Sequence, residues 1–182
     1  IYLDSKSQNL DEVILSVARS ESKANEIAEK VSVIKAEDLY LTAPSSGAEM
    51  LELSPGVRVQ KSQGGGGSPV IRGFEANRVL IVVDGVRMNN AIYRSGHLQN
   101  SITIDPNNID RVEIIYGSSS VGYGSDALGG VVHYYTKNPI IKDSIKIRSS
   151  FSSNFNTANS SLSNSFSTSY SEDSWGVFST IS

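Results

Sequence analysis

The chain has two histidines, His97 and His133, in different settings. His97 lies within residues 89–100, NNAIYRSGHLQN, a polar and aromatic stretch of loop character that also carries Tyr93 and Arg94. An imidazole, a phenol and a guanidinium exposed on one loop could coordinate or cradle a ligand. The plainer alternative is a histidine that hydrogen-bonds within its loop. His133 sits in the apolar run 131–136 beside Tyr134 and Tyr135, where a satisfied structural histidine is expected. Two glycine patterns invite nucleotide-binding readings, and both fail on context. Residues 64–67 are four glycines with no following Lys-Ser/Thr and no strand-loop-helix frame, so they make no phosphate cradle. Gly122, Gly124 and Ala127 fit a G-x-G-x-x-A spacing, but Gly129 and Gly130 interrupt the helix that would have to carry a pyrophosphate. No G-x-S-x-G elbow, metal-ligand spacing or carboxylate pair beside a base is present, so catalysis has no candidate constellation.

Composition narrows the field further. The 182 residues hold one ordinary domain plus extensions, with an apolar fraction of 38%. A formal charge of −3 with scattered lysines and arginines gives no basic field for nucleic acid. The absence of cysteine excludes disulfides, thiolate metal sites and a cysteine nucleophile. No apolar run approaches the roughly 20 residues of a spanning helix, and no signal-peptide pattern opens the chain. A membrane location therefore requires β-structure, and the chain has the character of a mature fragment.

The elements that must position these groups follow from pattern and punctuation. Residues 31–34 predict a short strand and 35–41 a helical turn. Ser46 and Glu49 have capping-box spacing, so a short helix is expected over 47–53, closed by Pro55 and Gly56. A strand over 57–60 then runs into the four glycines, expected to form a mobile loop because Gly is costly in packed elements. Residues 79–88 give a hairpin turning at Asp84-Gly85, which makes Asp84 a turn residue rather than a catalytic acid. A single helical turn is expected over 107–110. From Arg111 the sequence RVEIIYGSSSVGYGSDALGGVVHYYT places one apolar strand, a glycine- and serine-rich turn and a second apolar strand in succession. After Ile141 serine becomes abundant and apolar residues alternate with polar ones, predicting strands at about 144–155, 160–172 and 175–182. A serine-rich tail could instead be a flexible linker, but alternating aromatics argue against disorder.

The order of these residues resembles the plug domain of outer-membrane TonB-dependent receptors. The likeness runs over most of residues 10–137, through the IRG at 71–73, the LIVVDGVRMNN at 80–90 and the finish from Tyr123 to Val131. It implies an α+β plug domain, a small mixed β-sheet with short helices and long loops, followed by the first antiparallel strands of a transmembrane β-barrel. The implied boundaries are an N-terminal segment 1–17, a plug over 18–142 and an incomplete barrel over 143–182, since the smallest barrels need eight strands. Leu10, Asp11, Glu12, Val13, Ile14, Leu15, Ser16 and Val17 resemble the TonB box, whose extended backbone can add to a partner's sheet edge; by pattern alone they could equally be the domain's first strand. Arg72 matches the plug arginine that pairs with barrel carboxylates, a role suited to a bidentate guanidinium. In a plug, the glycine loop would face the external vestibule. The family usually places Arg-Gly-Pro after the central strand; here stand Tyr116, Gly117 and Ser118, so one usual plug-to-barrel ion pair lacks its arginine.

Haem and haemoglobin receptors carry a similar Gly-His-Leu after the VDGVR strand, which makes His97 an expected axial ligand to haem iron, with Tyr93 and Arg94 beside the ligand. The resemblance implies no required cofactor, with haem as transported ligand. Its implied partners are TonB with its inner-membrane energising complex, outer-membrane lipid, haem, a haemoprotein or an iron-siderophore, and a surface lipoprotein delivering the cargo. Two alternatives stay open: a siderophore, cobalamin or glycan receptor in which His97 is only a loop residue, and a non-transport adhesion or assembly subunit.

Overall fold

The computed structural model describes residues 13–14, 22–23, 30–62, 66–75, 78–88, 101, 103–117, 123–139, 141, 146–157, 160–172 and 174–182. Its centre is a five-stranded mixed sheet. In chain order the first strands are β1 (Val13–Ile14), β2 (Ser22–Lys23), β3 (Val31–Lys35), β4 (Val57–Ser62), β5 (Gly66–Ile71) and β6 (Val79–Val83). They are followed by β7 (Val86–Arg87), β8 (Ile109–Tyr116) and β9 (Gly130–Thr136). The sheet order is β3-β8-β9-β6-β7, antiparallel throughout except for the parallel β6–β9 pair.

Both faces of this sheet are covered, which is why β6 reads as an unbroken apolar run, VLIVV, rather than an alternation. Val79, Ile81, Val112, Ile114, Val132 and Tyr134 point to one face, where helix α1 (Ala36–Thr42), helix α2 (Gly47–Met50) and the β4–β5 hairpin supply Leu39, Met50, Leu51, Val57 and Ile71. Leu80, Val82, Ile115 and Val131 point to the other and meet Ala127. The buried Tyr134 hydroxyl donates to the Gly47 carbonyl at 2.9 Å, tying α2 to the sheet.

Several sequence expectations hold with small shifts. Ser46 caps α2, its hydroxyl accepting from the Glu49 N–H at 3.3 Å, while the Glu49 carboxylate takes the Ser45 N–H and hydroxyl rather than closing the box on Ser46. The helix ends at Met50 and continues as a 3-10 turn over Leu51–Leu53. Asp84 and Gly85 both have positive φ, 46° and 84°, the backbone of a type I′ hairpin. The Asp84 carboxylate accepts from the Thr136 N–H and hydroxyl, one on each oxygen, which ties the turn to β9. The expected helical turn over 107–110 is a 3-10 turn at Pro106–Asn108, because Ile109 already belongs to β8.

The glycine run corrects a prediction. Gly66 and Gly67 are not loop residues but the start of β5, paired with Ser62 and Lys61. A Cβ at Gly67 would stand 2.4 Å from Val59 Cγ1 and 2.8 Å from Ala48 Cβ, so this glycine serves close packing of α2 onto the hairpin. Gly64 lies outside the described residues, as does Gly65.

The C-terminal segment forms an antiparallel meander of β10 (Lys146–Asn156), β11 (Ser161–Glu172) and β12 (Trp175–Ile181). Its register puts Ile147 opposite Tyr170, Phe151 opposite Phe166 and Phe155 opposite Leu162, with Ile181 and Val177 continuing the same face on β12. That face is exposed and apolar. The opposite face carries Ser150, Ser152, Ser163, Ser165 and Ser167, and four of these hydroxyls bond in cross-strand pairs, Ser150 with Ser167 and Ser152 with Ser165, both at 2.7 Å. One apolar and one hydroxylated side, sustained over strands of 11 and 12 residues, is the pattern of a membrane barrel wall.

Candidate functional site

The β6–β7 hairpin leads directly toward residues 89–100, and the structure shows how that hairpin is anchored. On the second face of the sheet, β8 and β9 place Arg111 opposite Tyr135 and Glu113 opposite His133. A register shift between Ile109 and Arg111 brings these pairs into line. The fully buried Glu113 carboxylate accepts from Arg111 Nε at 2.8 Å, and the Arg111 guanidinium lies 4.2 Å from the Tyr135 ring centroid. Tyr135 in turn stacks on His133 at 4.1 Å and 19°. A cation, a phenol and an imidazole therefore form one stack beside a buried carboxylate.

His133 Nε2 accepts a hydrogen bond from the Gly85 N–H at 3.1 Å, so the imidazole holds the hairpin turn. Its Nδ1 is buried and has no partner among the described residues, so the expected satisfied histidine is satisfied on one side only. Burial lowers its proton affinity; Glu113 and Asp84 oppose that shift and Arg111 adds to it.

Arg72 occupies a second tight turn. Ile71 and Phe74 exchange both backbone hydrogen bonds, at 2.9 and 2.8 Å, around Arg72 and Gly73 with φ of 51° and 84°. Arg72 is exposed, and its guanidinium lies 5.5 Å from the Tyr116 ring centroid. Tyr116 is buried and fixed: its hydroxyl donates to the Pro55 carbonyl at 2.8 Å and shares a 2.7 Å hydrogen bond with Ser54.

Of the other residues singled out by sequence, Val13 and Ile14 form β1, paired antiparallel with β2 at Lys23 and Ser22. Leu10, Asp11, Glu12, Leu15, Ser16 and Val17 lie outside the described residues, as do Tyr93, Arg94, His97 and Ser118. Sequence reasoning passed over the Arg111–Glu113 ion pair, although its i, i+2 spacing on a strand puts both side chains on one face. It also passed over Lys30, whose ammonium lies 5.5 Å from the same Tyr116 ring. That contact spans 86 positions and has no local signal. Among the described residues no group of three or more His, Cys, Asp or Glu could hold a metal ion, and the sheet presents a structural scaffold for loops and turns.

Comparison with known proteins bears on what the scaffold serves. The family model of the TonB-dependent Receptor Plug Domain matches residues 23–131. The vitamin B12 transporter BtuB of Vibrio vulnificus (strain CMCP6) is 37% identical over 131 residues, covering 71% of this chain and 21% of that protein. The hemin receptor of Yersinia enterocolitica is 36% identical over 134 residues, covering 73% and 19%. The ferripyoverdine receptor of the outer membrane of Pseudomonas aeruginosa bound to ferripyoverdine superimposes with a TM-score of 0.62 at 17% identity, covering 87% of this chain and 22% of that one, a likeness of fold. The chain spans about a fifth of the length of these proteins.

Proposed function

The chain belongs to the TonB-dependent receptor plug family, and from that premise we propose that it is the plug and opening barrel strands of a receptor importing haem or another iron complex across an outer membrane, with energy coupled through TonB. The observation that carries the receptor reading is the joining, in one chain, of the matched plug region to a meander with one apolar exposed face and one hydroxylated face. In this reading the apolar face meets lipid, the plug stands within the barrel, and the N-terminus is periplasmic. Haem as cargo is supported by Gly96-His97-Leu98 with Tyr93 and Arg94, which follow the anchored hairpin in sequence, His97 supplying the iron ligand.

Residues Leu10 to Val17 supply the strand that TonB, driven by its inner-membrane complex, would take up by backbone pairing. Ligand at the outer loops shifts the population in which that strand is available. Arg72, exposed on its turn, pairs with carboxylates of the barrel wall.

A second reading is favoured by the similarity to a vitamin B12 transporter: cobalamin as cargo, with His97 not a ligand to iron. Titrating haem into the full-length receptor in detergent, followed at the Soret band, separates the two. A saturable shift that weakens sharply in His97→Ala supports haem import. No saturable shift, with saturable cyanocobalamin binding, overturns it in favour of the second reading.

A further inference from the structure

A cleft of about 760 Å³ separates the serine face of the meander from α1 and the 3-10 turn at Pro106–Asn108, a size within the roughly 300–1,000 Å³ of small-molecule sites. Its outer wall is the half of β10 and β11 next to the turn that joins them, from Ser150 to Thr157 and from Ser161 to Ser167. Its inner wall is α1, the segment that follows it, Asp105 to Asn107 and Lys137. Both walls belong to this chain.

The lining has one chemical character. Serine, threonine and asparagine make up most of it, and among the described residues Asp105 and Lys137 are its only charged side chains. Both brace the inner wall. Asp105 Oδ1 accepts from the Asn107 N–H at 2.9 Å and from its side-chain amide at 3.1 Å, while Lys137 Nζ donates to the Asn107 carbonyl at 2.8 Å. On the outer wall, the pairs Ser150–Ser167 and Ser152–Ser165 each use one hydroxyl hydrogen internally. Each pair keeps a second hydrogen and several lone pairs, so it can both donate and accept. Facing them, the Tyr40 ring stays 65% exposed although the Lys137 ammonium lies 5.7 Å from its centroid.

We propose that this cleft binds a neutral oligosaccharide from solution, with Tyr40 as the stacking surface and the serine pairs of β10 and β11 as its hydrogen-bonding wall. Sugar hydroxyls need donors and acceptors interleaved, which paired serines and asparagine amides supply. The C–H face of a pyranose carries slight positive charge and suits the negative face of a phenol ring. A lining whose two charges are already engaged has little to hold an anionic ligand. The cleft lies on the hydroxylated side of the meander, opposite the apolar face, so a glycolipid seated in a bilayer does not reach it. The site is separate from the cargo assigned to His97, and its access rests on the receptor reading: where the N-terminus is periplasmic, the lined half of β10 and β11 is the outer half.

The test is calorimetric titration of maltotriose and chitotriose, with anionic trigalacturonate as control, into the full-length receptor held in an amine-oxide detergent, since glycosidic detergents would compete. At least one neutral trisaccharide should bind saturably and more tightly than trigalacturonate. Its Kd should rise about tenfold in Tyr40→Ala and stay near wild type in Tyr40→Phe, which keeps the ring. The double variant Ser152→Ala with Ser165→Ala removes both members of a pair, a change nearly neutral for folding, and should weaken binding several-fold. No saturable binding of either neutral sugar, binding of trigalacturonate at least as tight, or a Kd unchanged in Tyr40→Ala or in the double variant overturns the proposal. Faster migration of the unheated receptor in SDS gels reports barrel closure independently. A receptor without it overturns the receptor reading, and a closed barrel that takes up no neutral sugar overturns the saccharide cleft alone.

Discussion

His133 illustrates how one residue's chemistry depends on a partner the strand pattern does not name. Its neutral ring is what the fold holds, because Nε2 must accept from the Gly85 N–H, and burial depresses its proton affinity below the ordinary value of 6.5. The unfolded chain therefore binds the proton more readily. The His133 contribution to stability is complete above pH 6.5 and is lost as pH falls from there through the folded-state value. Urea midpoints of the plug in the full-length receptor, taken stepwise from mildly alkaline to mildly acidic pH, should fall on the acid side. His133→Gln, which keeps an acceptor but does not titrate, should flatten that fall. It should cost about 1 kcal/mol at neutral pH through a poorer hydrogen bond. An unchanged acid slope in the variant would show that His133, although it faces Glu113 and Asp84, does not carry the dependence. That a histidine lay in a buried strand was legible in VVHYY; that it holds the Asp84-Gly85 turn was not, because the parallel β6–β9 pairing brings them together across 48 positions.

At the scale of elements, glycines that look alike in sequence do different work. Gly85 has φ of 84° with open space around its α-carbon, so Gly85→Ala meets only the left-handed backbone penalty, about 1 kcal/mol. Gly67 has no such φ, but alanine there would drive a methyl into Val59 and Ala48. Overpacking of that kind costs about 1–3 kcal/mol, and the buried Ser101 hydroxyl, donating to the Gly67 carbonyl at 2.6 Å, limits how far β5 can shift. Gly67→Ala should therefore lower the urea midpoint more than Gly85→Ala, and the reverse order would mean that α2 yields where the packing says it cannot. The strands themselves were readable, since β-branched runs, hairpin punctuation and two-residue alternation are local properties. The strand role of Gly66 and Gly67 was not, because it is set by Ala48 on a helix packed from elsewhere.

At the scale of the molecule, the meander's two faces make opposite demands on one kind of substitution. Phe166 stands opposite Phe151 and Ile181, at the middle of the exposed apolar face, whereas its neighbour Ser165 stands opposite Ser152 on the hydroxylated face. If the apolar face meets lipid, Phe166→Arg forces a guanidinium toward hydrocarbon at a cost of about 2–4 kcal/mol near the bilayer midplane, while Ser165→Arg gives up one hydroxyl pair and projects into a hydrated lumen. The fraction of receptor that migrates as a closed barrel before heating should fall sharply for Phe166→Arg and little for Ser165→Arg. Equal tolerance would mean that the aromatic face is not lipid-facing. A greater loss for Ser165→Arg would place the hydroxylated face against a packed surface, and the domain beside it would then be seated on the barrel wall more tightly than a lumen of small hydroxyls implies.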